Sequence, residues 1–263
     1  MVSLEKEYAM VKFEQRDRVG LVTMNCPPVN ALCDQLVSEL VEVCKALAKK
    51  PEIGCIVICS EGKHFSAGAN LKEMKDQDWS SCYNTDMLEH WREISNIKIP
   101  VIAAVHGMAL GGGFELAMAC DIIYCDEASK FGQPEITVGT IPGCGGTQRL
   151  IREVGKSRAM EMCLSGDMMG TDEAKSCGLV AKVFPAGTVV TEAVTWGNKI
   201  AAHSKTLGCI VKDSVNQAYE MPLKQGLDYE KRMFWGSFAT ADQKEGMGAF
   251  CEKRKPDWTQ FHK

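Results

Sequence analysis

Apolar and polar positions fall into two regimes along the chain. Up to about residue 185, short apolar runs alternate with segments of helical period; beyond it the period is helical throughout. Residues 9–14 alternate weakly, Arg16-Asp17-Arg18-Val19-Gly20 reads as a turn, and residues 21–24 as a second strand, so the chain is predicted to open with a hairpin. Pro27-Pro28 breaks it, and Asn30 is predicted to cap a helix whose apolar face holds Leu32, Leu36, Val37, Leu40, Cys44 and Leu47 and which Lys49-Lys50-Pro51 ends. Residues 55–59 and 100–105 read as apolar strands, with a loop at 61–69 and a helix at about 81–96 between them. A glycine loop, a helix over about 112–119 and a strand at 122–124 follow. Apolar strands separated by helices imply βαβ units and a sheet covered on both faces. Helices are predicted over 188–203, 205–220, 223–238 and 241–253, so the architecture is an α/β core with a helical C-terminal third.

Composition narrows the class. A chain of 263 residues allows one large domain or a core with an appendage, and 45% hydrophobic residues is ordinary for a soluble globular protein. A net charge of −4 argues against a general nucleic-acid binder. No apolar run is long enough to span a bilayer, which needs roughly 18 residues or more. The 13 cysteines include no CxxC pair and no Cys/His cluster at zinc-finger spacing, and Cys55, Cys59, Cys120 and Cys125 lie in or beside apolar runs. They read as reduced thiols in an intracellular compartment. The opening Met1-Val2-Ser3-Leu4-Glu5-Lys6-Glu7 has neither signal-peptide nor transit-peptide character, and Phe261-His262-Lys263 is no peroxisomal address.

The candidate chemistry lies in three glycine-rich segments. The first runs Val105-His106-Gly107-Met108-Ala109-Leu110-Gly111-Gly112-Gly113-Phe114-Glu115, from a strand into a helix. The first N–H groups of a helix lack intrahelical partners and the dipole there favours negative charge, so Gly112 can offer an N–H to an oxyanion. Glycines serving only a tight turn account for the segment equally well, and Glu115 taken by itself reads first as an acid that complements the dipole. The second, His64-Phe65-Ser66-Ala67-Gly68-Ala69-Asn70-Leu71-Lys72, offers the N–H of Ala69 as a second donor and Asn70 as a helix cap; alone it reads as a surface loop. The third carries Glu135 in Phe131-Gly132-Gln133-Pro134-Glu135, where Pro134 keeps residue 133 extended and glycines at 139, 143, 145 and 146 allow tight folding; alone it reads as a polar turn. Two carboxylates can handle both ends of adding water to a double bond, and flanking amides suit an oxygen that becomes negative, which suggests an acyl-thioester enzyme. The five histidines have no metal-like spacing, and Ser66 lacks a nucleophile elbow. Sequence spacing alone brings none of these positions together.

These segments, in this order, resemble the enoyl-CoA hydratase (crotonase) family, and the likeness extends to Pro100-Val101-Ile102-Ala103-Ala104-Val105 and Phe250-Cys251-Glu252-Lys253-Arg254-Lys255. The resemblance implies an α/β crotonase fold: a right-handed spiral of ββα units over residues 1–190, then a helical trimerisation region over 191–263, in a homotrimer or a hexamer of paired trimers. It implies reversible addition of water to a trans-2-enoyl-CoA, in fatty-acid β-oxidation, giving the (3S)-3-hydroxyacyl-CoA. It makes Glu115 and Glu135 the catalytic acids, and Ala69 and Gly112 the donors to the thioester oxygen. Ala67, Ala69, Asn70, Leu71, Lys72, Gly112, Gly143, Phe250 and Lys253 become the expected contacts of the coenzyme A substrate. No separate cofactor and no metal are expected, and the family points to the mitochondrial matrix. Phe114 stands where a smaller residue is common, which leaves acyl length open. An isomerase on the same fold needs one base, so the two glutamates favour hydration, with minor isomerase activity alongside. An RNA-binding homologue needs a lysine-rich helix, and residues 41–50 carry only Lys45, Lys49 and Lys50. The intact pair of glutamates opposes a catalytically dead scaffold.

Overall fold

The computed structural model describes residues 6–258; the terminal segments 1–5 and 259–263, with the readings placed on them, lie outside the described residues. Strands β1 (Val11–Arg16) and β2 (Val19–Met24) form the predicted hairpin through a tight turn at Asp17, where φ is +54°. Helix α1 (Asp34–Lys49) buries Leu36, Val37, Leu40, Cys44 and Leu47, the face its periodicity marks. Its cap differs from the prediction: the Cys33 sulfur accepts from Leu36 N at 3.5 Å. Asn30, at φ +51°, instead accepts from Cys26 N and donates to the carbonyls of Glu61 and His64, tying the loop before α1 to the loop after β3 (Cys55–Ser60). A side chain able to join two loops is worth more in that buried corner than at an accessible helix end.

The helix predicted over 81–96 is interrupted. Helices α2 (Leu71–Met74) and α3 (Trp79–Thr85) are followed by a 3₁₀ turn over Glu89–Ile94, because Asp86 and Leu88 both take positive φ and reverse the chain. Then each strand of the large sheet is followed by a short strand of a second sheet: β4 (Val101–Val105) by β5 (Met108–Leu110), and, after α4 (Gly112–Ala119), β6 (Ile122–Asp126) by β7 (Lys130–Gly132). Helices α5 (Gly146–Val154) and α6 (Lys156–Ser165) lead to β8 (Met168–Gly170), α7 (Thr171–Ser176) and β9 (Lys182–Phe184). The large sheet has the order β1-β2-β3-β4-β6-β9, parallel except for the hairpin; the small one is β5-β7-β8. This is the ββα repeat.

The core lies on both faces of the large sheet. One cluster gathers α1, α4 and the inward side chains Ile56, Ile58, Val101 and Ala103, and the other packs α8 (Val189–Ala201) on Val57, Ile102 and Tyr124. The layer covering the sheet therefore includes chain beyond residue 190. Helices α9 (Lys205–Asn216), α10 (Leu223–Ser237) and α11 (Ala241–Cys251) complete the helical third, and an ion pair, Lys212 to Asp121 at 2.7 Å, ties α9 to the turn between α4 and β6. All thirteen cysteines are free thiols, six of them buried. Among the described residues no helix is long and apolar enough to cross a membrane.

Candidate active site

Two main-chain amides meet where the first and second glycine segments touch. Leu110 N donates to Ser66 O and Ser66 N to Met108 O, so the loop after β3 runs beside β5. The Ser66 hydroxyl is spent on Asn30 O and on Gly68 N, which fits a structural role and not a nucleophile. Gly68, at φ +102°, turns the chain; a Cβ there would lie 2.9 Å from Leu110 O. The turn sets Ala69 N 3.5 Å from the position a Cβ on Gly112 would take. Neither the Ala69 nor the Gly112 N–H has a protein acceptor among the described residues. Gly112 is the first residue of α4, so its N–H stands at the positive end of the helix. Two neighbouring amides that lack partners in a folded interior call for a ligand acceptor.

Both carboxylates belong to the segments that meet here: Glu115 sits in the first turn of α4, and Glu135 lies 3.1 Å from the position a Cβ on Gly111 would take. Glu115, 3% exposed, presents one oxygen to two amides, Cys144 N at 2.8 Å and Gly146 N at 2.7 Å. Burial raises its pKa, while those two amides and the charge of Arg149 act the other way. Glu135 stands at the start of a 3₁₀ turn, Pro134–Val138, beside Gly111. Its pKa is pushed up to about 7, by burial first and also by the negative charge of Glu115. Turned so that its nitrogen faces Glu135, the buried Gln133 amide donates to both carboxylate oxygens, at 2.8 and 3.0 Å, and offsets part of that rise. The pair is unequal in surroundings. Glu115 is held by fixed donors that favour the ionised form, and Glu135 is poised to carry a proton near neutrality. Apparent pKa values there belong to the two together.

An open cleft of about 190 Å³ runs from Ala69 past Asn70, Met74, Leu88 and Trp91. Asn70 caps α2 as predicted, accepting from Lys72 N at 3.3 Å, and Leu71 and Lys72 are exposed beside it. Ala67 is half-buried, with its N–H given to Val29 O. Gly143 faces the same wall, since a Cβ on it would lie 3.2 Å from Leu88 Cδ1. The contacts that join Ala69, Gly112, Glu115, Glu135 and Gly143 do not extend to Phe250, 85% exposed on α11, or to Lys253, which follows it at φ +56°. Arg254, between Lys253 and Lys255, is engaged by Glu245 and Glu252. Phe114 is fully buried against Phe131, 5.3 Å between ring centroids, and belongs to the core. Trp91, Leu88 and Arg149 carry no signal in the sequence, because their roles arise only from contacts across the fold, and Gln133 was marked only as the residue that Pro134 keeps extended.

The ββα spiral and this arrangement of amides and acids define the crotonase class. The enoyl-CoA hydratase/isomerase family model matches residues 14–261, and the chain belongs to that family. It is 51% identical over 245 residues to a mitochondrial enoyl-CoA hydratase of Pongo abelii, covering 93% of this chain and 84% of that one. It is 49% identical over 254 residues to a probable mitochondrial enoyl-CoA hydratase of Dictyostelium discoideum, covering 96% and 92%. Among solved structures, enoyl-CoA hydratase from Bacillus anthracis superposes with a TM-score of 0.89 at 31% identity, covering 95% of this chain and 99% of that one.

Proposed function

We propose that this chain hydrates trans-2-enoyl-CoA thioesters to (3S)-3-hydroxyacyl-CoA in fatty-acid β-oxidation, with Ala69, Gly112, Glu115 and Glu135 as the reacting frame. The observation that carries the reading is two unpartnered amides beside two carboxylates in unequal surroundings, Glu115 gripped by the Cys144 and Gly146 amides and Glu135 packed against Gly111. The Ala69 and Gly112 N–H groups hold the thioester oxygen. Glu115, ionised, takes a proton from water as its oxygen adds to C3, and charge moves onto the thioester oxygen in an enolate-like species. The two donors and the α4 dipole stabilise that charge; losing one such donor typically costs ~10²–10³ in rate. Glu135, protonated, delivers its proton to C2 on the same face, and the proton on Glu115 returns to Glu135 through solvent.

The nucleotide end of the substrate lies along Ala67, Asn70, Leu71 and Lys72, with Phe250 of the last helix and Lys253 just beyond it closing over it, from the same or a neighbouring subunit. No cofactor takes part beyond the coenzyme A of the substrate. The helical region from 191 onward joins copies of this chain into a trimer or paired trimers, which the exposed apolar side chains Val211, Val215, Leu223, Leu227, Phe234 and Trp235 support. The mitochondrial matrix is the compartment, a reading supported by the two mitochondrial relatives. Loss of enoyl-thioester absorbance on adding purified protein, followed across several acyl lengths, tests the reading. Turnover on none of them would end it.

A further inference from the structure

The loop that grips Glu115 is itself wrapped around a guanidinium. Arg149 Nη1 donates to Cys144 O at 2.7 Å, and Nη2 reaches Ser95 Oγ at 3.5 Å. The fit is tight: Gly145 is at φ +110°, and a Cβ there would lie 2.2 Å from Nη1. Arg149 N also donates to Gly145 O at 2.7 Å, so main chain and side chain hold the same turn. Arg149 is half-buried, and among the described residues it makes no ion pair with any carboxylate. A partly buried arginine without a carboxylate needs a reason, because its desolvation is otherwise uncompensated.

We propose that Arg149 is the positioning residue of this site: it clamps the Cys144 carbonyl so that the Cys144 and Gly146 N–H groups converge on one Glu115 oxygen, and it sets an otherwise unpaired positive charge near that carboxylate. The inference rests on the reading of Glu115 as the base. It supplies what two amides alone leave short, since burial favours the neutral acid. The other groups around Glu115 do not take its place. Glu135 raises the cost of a second negative charge, and Cys144, its thiol pushed up to about 12, stays neutral. Cys163 of α6 has a raised pKa, by burial first, and is neutral as well. On the 3₁₀ turn packed against α4, Arg92 is paired with Glu89 and Glu93 with Lys45.

The test is the pH profile of kcat/KM for crotonyl-CoA in Arg149→Met, Arg149→Gln and Arg149→Lys, beside Glu115→Gln. The two neutral variants are expected to move the acid limb to higher pH, on the order of one unit. The Lys variant keeps the limb near its wild-type place and lowers kcat, because an ammonium cannot reproduce the fork that meets both Cys144 and Ser95. Lower kcat with an unmoved acid limb in the neutral variants would reduce Arg149 to a structural part and overturn the proposal. Should both neutral variants fail to fold, the Lys variant decides: kcat unchanged, or an acid limb displaced upward despite the retained charge, overturns it. Activity surviving in Glu115→Gln contradicts the reading of the base itself, a separate failure.

Discussion

The Glu135 carboxylate stands 3.1 Å from the point where a side chain on Gly111 would begin. Gly111 sits at φ +49° and ψ −125°, a conformation that residues with a Cβ avoid, and it caps the helix that carries Glu115. One residue thus sets the entry to α4 and the room for the opposite acid. Gly111→Ala should lower kcat roughly 10²-fold, the usual scale for displacing a catalytic group by about 1 Å. Stability should also fall, by about 1–2 kcal/mol for the backbone strain. Turnover and urea unfolding of the same variant check both.

Glu135 also marks the stability of the fold with pH. Its pKa rises from an ordinary 4.5 to about 7 in the folded protein, so the folded state holds an extra proton between those values. Stability therefore falls as pH rises through this window, and the loss is complete above about 7. Glu135→Gln removes that slope. Its melting temperature should gain on the wild type more at pH 8 than at pH 5, as read by thermal melts at the two pH values. An equal gain at both would place the carboxylate in an unperturbed setting.

The Lys212–Asp121 pair, with side chains 8% and 18% exposed, joins the helical third to the sheet core. Asp121 also accepts from Val101 N at 2.7 Å, and Lys212 donates to Ile99 O. Lys212→Met strands a largely desolvated carboxylate and should cost up to about 3 kcal/mol. Removing both charges together should cost less than the sum of the single losses, which a double-mutant cycle in urea measures.

Phe114 separates packing from specificity. Its ring is fully buried against Phe131, while Trp91, Leu88 and Met74 line the cleft. Phe114→Leu should lose roughly 1–3 kcal/mol of stability and leave the ranking of acyl lengths as it is. Rates on C4 to C10 enoyl-CoA substrates would show whether the ranking moves.

The long elements were legible because their periodicity reports burial directly. The face of α1 and the fully buried run of β3 are examples. The small sheet was not, since three-residue strands such as β5 and β7 leave no alternation to read. Asn30 looked like a helix cap because its type suits one; only the fold shows two loops competing for it and winning. In the site, glycine spacing marked the turns around Ala69 and Gly112, but their meeting came from family resemblance and then from the Ser66–Leu110 pairing. Arg149 was silent because its side chain acts on a carboxylate through a loop, across 34 positions of sequence.

Hydration as proposed requires Glu115 and Glu135 to serve one reaction. Steady-state hydration of crotonyl-CoA by Glu115→Gln, Glu135→Gln and the double variant, each shown to be folded by its melt, measures this directly. Each single change should lower kcat by ~10²–10⁴, the range of general acid–base assistance. The double variant should fall little further, because residues that act as a unit are not additive. A double variant turning over near the wild-type rate would contradict it.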